Sequence, residues 1–136
     1  MVNAYLYYNG NALEAVNFYA DAFHTEKQKV LLFGDVPGDP GFPMTDEMKK
    51  RVMHTFLVIG GSQVMFSDVP EGMPLTVGDN ISLVVGFKDR DDLKNVFEKL
   101  RVGGAVRMEL QETFWTKCYG YVVDKFGVGW QLSLEG

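Results

Sequence analysis

Few side chains in this chain have chemistry of their own, and those that do stand apart from one another. There are two histidines, His24 and His54. His24 falls at the end of a helical stretch, where it would help to cap the last carbonyls. His54 has no carboxylate at motif spacing and reads as a hydrogen-bonded pocket or core residue rather than a catalyst. Cys118 has neither a helix N-terminus nor a histidine beside it to favour the thiolate, although Lys117 is adjacent, so it reads as a small buried residue. Asp68 and Asp124 fit turn chemistry. What the chain has in number is aromatic rings with a polar end, six tyrosines and two tryptophans, suited to stacking on a small molecule and fixing it by hydrogen bonds.

Such rings need a framework, and the stretch Cys118 to Leu134 supplies the clearest one. It reads as a β-hairpin, with Trp130, Leu132 and Leu134 on one face of its second strand and Gly129, Gln131 and Ser133 on the other. Asp124 suits the opening of a type I turn and Gly127 the positive φ of a following bulge, which gives a three-residue connection. In that register Tyr121 lies opposite Gln131 and Tyr119 opposite Ser133. A two-residue turn would instead bury both tyrosines and leave Cys118, Gly120 and Val122 on the open side.

The hairpin has an earlier counterpart in His54 to Ser67, and laying Gly61 on Gly127 places Met65 on Gln131 and Phe66 on Leu132. Each hairpin follows a strand and an amphipathic helix, over Ala4 to Phe23 in the first half and Asn80 to Leu100 in the second. The unit is β-α-β-β-β, used twice. In the first half Asn11 is placed to cap the helix with Glu14 as its capping-box partner, and Ala12, Val16, Tyr19 and Phe23 recur at helical spacing. Lys27 to Phe33 is the next strand. Three glycines and three prolines between Gly34 and Pro43 exclude regular structure there, and Thr45 to Lys50 suits one helical turn. Gly60-Gly61 forms a two-residue turn, and Val69 to Gly78 links the halves. In the second half Asp89 is placed to cap a helix carrying Leu93, Val96, Phe97 and Leu100, and Val106 to Gln111 is a strand.

At 136 residues, 46% hydrophobic and 23% charged, the chain fits one globular domain. A net charge of −5 argues against a nucleic-acid or anionic-membrane partner, either of which needs a basic face. The single cysteine excludes an internal disulfide, and no stretch suits a leader or a membrane span, so a cytoplasmic protein is expected.

Strand parity then predicts what lines the open face. With Tyr5, Tyr7, Ile81, Leu83, Val85, Val64, Phe66, Trp130 and Leu132 turned to the helices, the other face holds Ala4, Leu6, Tyr8, Asn80, Ser82, Met65, Ser67, Gln131 and Ser133. The turn at Gly60-Gly61 puts His54 opposite Ser67 and Phe56 opposite Met65. Tyr8, Phe56, Trp115, Tyr119 and Tyr121 would stack on a ligand, with His54, Met65, Ser67, Asn80 and Gln131 around it. An antiparallel sheet with one solvated face gives the same alternation.

The runs YLYYNGNALEAVNFYADAF, VMHTFLVIGGSQVMFSD and FWTKCYGYVVDKFGVGWQL resemble the PhnB-like members of the vicinal oxygen chelate superfamily, the glyoxalase/bleomycin-resistance fold, often labelled demethylubiquinone methyltransferase-like. The resemblance spans nearly the whole chain. It implies an α+β domain over residues 1–136, built from two βαβββ modules (about 1–70 and 79–136) whose sheets form a cup with helices outside, usually as a homodimer. Chemically active members hold a divalent metal in the cup. Carried over, the four ligand positions are Ala4, Met65, Asn80 and Gln131, and none is a histidine or a carboxylate. Neither metal nor cofactor is therefore expected. A glycine-rich strand-to-helix loop for a nucleotide-like cofactor is also absent, so the methyltransferase label gains no support. The reading that follows is a protein that binds a small, partly aromatic ligand without metal. Its alternative is an enzyme of lyase, isomerase or dioxygenase type, working through a non-standard metal site or His54 as general base.

Overall fold

The structure is a computed structural model that describes residues 1–38, 40–41 and 43–136. Residues 39 and 42, within the predicted irregular stretch, lie outside the described residues. Two compact units divide the chain, Met1–Thr76 and Val77–Gly136.

In the first unit β1 (Ala4–Tyr8) leads into α1 (Ala12–Phe23), β2 (Leu31–Leu32), a 3₁₀ turn (Phe33–Asp35), α2 (Asp46–Lys50), β3 (Val52–Ile59) and β4 (Ser62–Asp68). The sheet order is β1-β4-β3-β2, with β1 parallel to β4 and the other pairs antiparallel. Gly60 and Gly61, at φ 59° and 85°, form the two-residue turn between β3 and β4, and Phe56 pairs with Met65 as that turn requires. α1 packs on β3 and β4; Ala12, Val16 and Tyr19 are buried beneath it with Leu57, Val64 and Phe66.

The strand expected over Lys27 to Phe33 shrinks to Leu31–Leu32, because the register with β3 shifts between those two residues and the chain then enters the 3₁₀ turn. Upstream, the Lys29 carbonyl accepts from the Thr55 hydroxyl at 3.0 Å rather than from a backbone ladder. The helix start also differs from expectation. Asn11 makes no side-chain cap; Asp68, at the end of β4 and 3% exposed, accepts instead from Gly10 N at 2.7 Å and Ala12 N at 3.0 Å. Its other oxygen takes Val52 N at 2.9 Å. Asp68 is thus no turn residue: a buried carboxylate joins the start of α1 to two strands. His24 ends α1 with left-handed backbone, φ 51°, and its own N–H, with that of Thr25, meets the last carbonyls.

In the second unit β5 (Ser82–Phe87), α3 (Arg90–Leu100), β6 (Ala105–Gln111), β7 (Tyr119–Val123) and β8 (Gly129–Leu134) repeat the pattern, in the order β5-β8-β7-β6. Trp130, Leu132 and Val122 face α3, where Leu93, Val96, Phe97 and Leu100 are buried. Asp89 occupies the predicted cap position of α3 without a side-chain hydrogen bond. Helix and sheet meet closely at Gly120, where a β-carbon would come within 2.6 Å of the Phe97 ring and 2.7 Å of Leu110. Asp124 fulfils the turn role: Oδ1 accepts from Phe126 N and Val128 N, and Oδ2 takes the indole N–H of Trp130 at 2.8 Å. The three-residue register follows, with Tyr119 opposite Ser133 and Tyr121 opposite Gln131. Cys118 is buried, as expected.

Candidate functional site

The second unit's open face holds the more ordered polar array. β7 presents Tyr119 and Tyr121 and β8 presents Gln131, all on the side away from α3. The Tyr119 hydroxyl donates to Gln131 Oε1 at 2.5 Å, and Gln131 Nε2 donates to Ser82 Oγ at 2.7 Å. This chain fixes which end of the Gln131 amide points which way, a choice that hydrogen bonding alone determines. The Trp115 ring meets Tyr119 edge-on, centroids 5.2 Å apart, and Phe114 meets Trp115 likewise at 4.8 Å. Burial pushes the Tyr119 phenol above its ordinary pKa, and the neighbouring Tyr121 pushes it further in the same direction. At neutral pH Tyr119 is a hydrogen-bond donor.

Tyr121 lies across Gly129: a β-carbon there would stand 3.2 Å from the Tyr121 hydroxyl, so glycine permits the ring its position. Beside it opens a cavity of about 250 Å³ whose walls include Asp79, Ile81, Arg107, Tyr121, Val123 and Gly129. Arg107 reaches it through a β-bulge. Val106 pairs with Val122 and Met108 with Tyr121, leaving Arg107 as the extra residue of β6.

The first unit's open face is organised by stacking. Met65 pairs with Tyr5 on one side and Phe56 on the other. Tyr5 stacks on Tyr7 with centroids 4.9 Å apart, and its hydroxyl lies 3.4 Å from His54 Nδ1; the histidine tautomer sets which of the two donates.

Two expected site residues move. Tyr8 was expected on the open face, but the register of β1 with β4 places it on the helix side. There it is 4% exposed, packs on Phe66 and donates to the Tyr19 hydroxyl at 3.1 Å. Tyr5 and Tyr7, expected under the helix, take the open face in its stead. The reason is that both parities of this five-residue strand carry tyrosine, so alternation by itself does not choose between them. Asn80 precedes β5, which begins at Ser82; Ser82 is the residue that meets Gln131. Ser67 keeps the expected parity, opposite Tyr7, but is buried. His54, Phe56, Met65, Trp115, Tyr119, Tyr121 and Gln131 retain at least partly accessible or open-face positions, divided between the two units.

The donor chemistry at the positions implied for a metal can be tested on this register. Ala4 pairs with Val64 on the helix face, and the open-face partner of Met65 is Tyr5. The partner of Gln131 is Val84. A phenol, a thioether, an aliphatic side chain and a neutral amide do not fit a hard divalent ion. Among the described residues no three histidine, cysteine or acidic side chains gather in a ligating group. A nucleotide-like cofactor at the β1–α1 connection fares no better, since the amides of Gly10 and Ala12 are already engaged by Asp68.

Two four-stranded mixed sheets with helices, one sheet per βαβββ unit, are the α+β glyoxalase/bleomycin-resistance fold. Within it, the chain belongs to the PhnB-like family described as 3-demethylubiquinone-9 3-methyltransferase, whose model matches residues 1–133. Protein PA1353 from Pseudomonas aeruginosa is 31% identical, with 99% of this chain and 97% of that chain covered and a TM-score of 0.86. A PhnB protein from Bacillus cereus, described as a putative 3-demethylubiquinone-9 3-methyltransferase, is 29% identical, with 98% of each chain covered and a TM-score of 0.74. The fosfomycin resistance protein FosX from Listeria monocytogenes shares the fold at 12% identity, with 98% and 88% covered and a TM-score of 0.62. No helix among the described residues is long and apolar enough to cross a membrane.

Proposed function

We propose that this protein binds a small, partly aromatic ligand without a metal ion, on the open face that Trp115, Tyr119, Tyr121 and Gln131 share. The observation that carries the reading is the hydrogen-bonded chain from Tyr119 through Gln131 to Ser82. A preset amide beside an edge-on pair of aromatic rings offers a ligand both orientation and stacking, which is how small-molecule sites combine a few polar groups with an apolar lining. The donor set argues for the metal-free form. The same reading takes the protein as a homodimer, on the resemblance, and as cytoplasmic, on its lone cysteine.

The test is an amide and indole NMR titration of chelator-treated protein with single-ring aromatic compounds. Shifts gathered at the Trp115 indole N–H and the Gln131 side-chain amide, unchanged by added zinc or manganese, are expected. Binding that requires a divalent ion, or shifts confined to other surfaces, would overturn the reading. A second reading, general base catalysis by His54, draws on the Tyr5 hydroxyl 3.4 Å from Nδ1. It is weaker because no carboxylate among the described residues is hydrogen-bonded to the ring to orient it.

A further inference from the structure

We infer that the cavity beside Tyr121 takes an organic zwitterion, a small molecule with one anionic group held by Arg107 and one protonated amine held by Asp79. This rests on the ligand-binding reading above and names the chemical class of ligand. The size of the cavity comes first. At about 250 Å³ it matches roughly eight liquid waters, which sets a ligand of about one ring with a short substituted arm.

The charges come second. Arg107 and Asp79 line the same cavity, yet neither forms an ion pair or side-chain hydrogen bond with any described residue. The other arginine of this unit's helix-to-strand corner shows the contrast: Arg101 is closed by Glu109 through two bonds of 3.0 and 2.9 Å and by Glu98 at 3.2 Å. Arg101 is structural, and Arg107 keeps its planar fork of donors open for a carboxylate-like group. A simple anion would gain from Arg107 but be repelled by Asp79, and a simple cation would meet the reverse. A ligand carrying both charges satisfies both walls, and the same arrangement discriminates against singly charged analogues.

The third observation is placement. Arg107 is the extra residue of a bulge, the device by which a strand re-aims one side chain. Tyr121 adds a ring and a hydroxyl that bonds to no described residue, and Ile81 and Val123 complete an apolar wall for the ligand's body. Cation, anion, hydroxyl and apolar surface therefore converge on one small space.

Three probes built on one phenethyl unit test this: phenylalanine, 3-phenylpropanoate, which lacks the amine, and phenethylamine, which lacks the carboxylate. Calorimetric titration of the wild-type protein should give phenylalanine about tenfold tighter binding than either analogue. Arg107→Gln should weaken phenylalanine by a similar factor, whereas Asp79→Asn should weaken phenylalanine and strengthen 3-phenylpropanoate. Both side chains are exposed, and circular dichroism of the variants checks that they fold. Three probes binding within a factor of about two of one another would sink the zwitterion assignment and leave the ligand-binding reading standing. No saturable binding of any probe at millimolar concentration would sink both.

Discussion

The two units solve one packing problem in the same way and then use what is left differently. On the helix side of the sheet, Val64 and Phe66 in the first unit and Trp130 and Leu132 in the second are all buried. On the open side the correspondence ends. The first unit presents a row of rings, Tyr5 on Tyr7 beside His54, with Phe56 and Met65 in register. The second presents the hydrogen-bonded series Tyr119, Gln131 and Ser82. Burial explains the difference: each fully buried large apolar side chain contributes about 1.5–3 kcal/mol, so the helix side tolerates few substitutions while the open side is free to diverge. The buried carboxylates diverge too. Asp68 ties a helix start to two strands, whereas Asp124 ties a turn to the indole of Trp130.

That contrast is broken most forcefully at Asp68. Asp68→Ala would leave three backbone amides without their acceptor, and we expect a loss of about 3–5 kcal/mol in urea denaturation. Asp124→Ala should cost somewhat less, about 2–4 kcal/mol, because the turn it serves stays near water. If Asp124→Ala proves the more damaging of the two, the second unit depends on its turn more than the first does on its helix junction.

The face assignment of β1 comes next. Tyr8→Ala, in the core, should cost about 3–5 kcal/mol, while Tyr7→Ala, 54% exposed, should change stability by less than about 1 kcal/mol. Equal effects would mean that the parity described for this strand is wrong. Tyr121→Ala belongs with the open-face residues: a loss of about 1 kcal/mol or less is expected in thermal denaturation, together with weakened ligand binding.

The smallest expected effect separates the two open faces by pH. The folded pKa of Tyr119 is raised above the ordinary 10.0 by burial and then by Tyr121. The native state therefore holds this proton more firmly than the unfolded chain, and the associated stability is complete below the unfolded value and lost as pH rises through the folded one. Stability should be level up to about pH 9 and decline above about pH 10, and Tyr119→Phe should flatten part of that decline. Absorbance of tyrosinate near 295 nm, followed alongside denaturation, checks it; a Tyr119 that ionises before the exposed tyrosines would contradict the assignment.

Local signals sufficed wherever a short stretch of chain contains its own constraint. Alternation in β8 identified the faces of Trp130, Gln131 and Leu132. Asp124 and Gly127 specified the turn that sets Tyr121 against Gln131, and the paired glycines 60 and 61 set Phe56 against Met65. The duplication and the helical stripes were legible for the same reason. Beyond that reach, residues distant in sequence had to meet before anything was decided. Tyr8 rather than Tyr5 is buried because β1 lies parallel to β4, each residue pairing with one 60 positions later. Asn11 does not cap α1 because its backbone, at φ −114° and ψ 21°, lies outside the extended region a capping residue adopts, while the carboxylate of Asp68 holds the amides of Gly10 and Ala12 on either side of it. Ser82 rather than Asn80 meets Gln131 because β5 starts later than its apolar pattern suggests, and Arg107 enters a cavity because β6 bulges against β7. In each case tertiary pairing sets which of several locally acceptable side chains is covered, bonded or left facing solvent. The sequence by itself determined the elements and the hairpin registers, since those depend on neighbouring residues; the site was decided by strand pairing across the sheet, which no local pattern encodes.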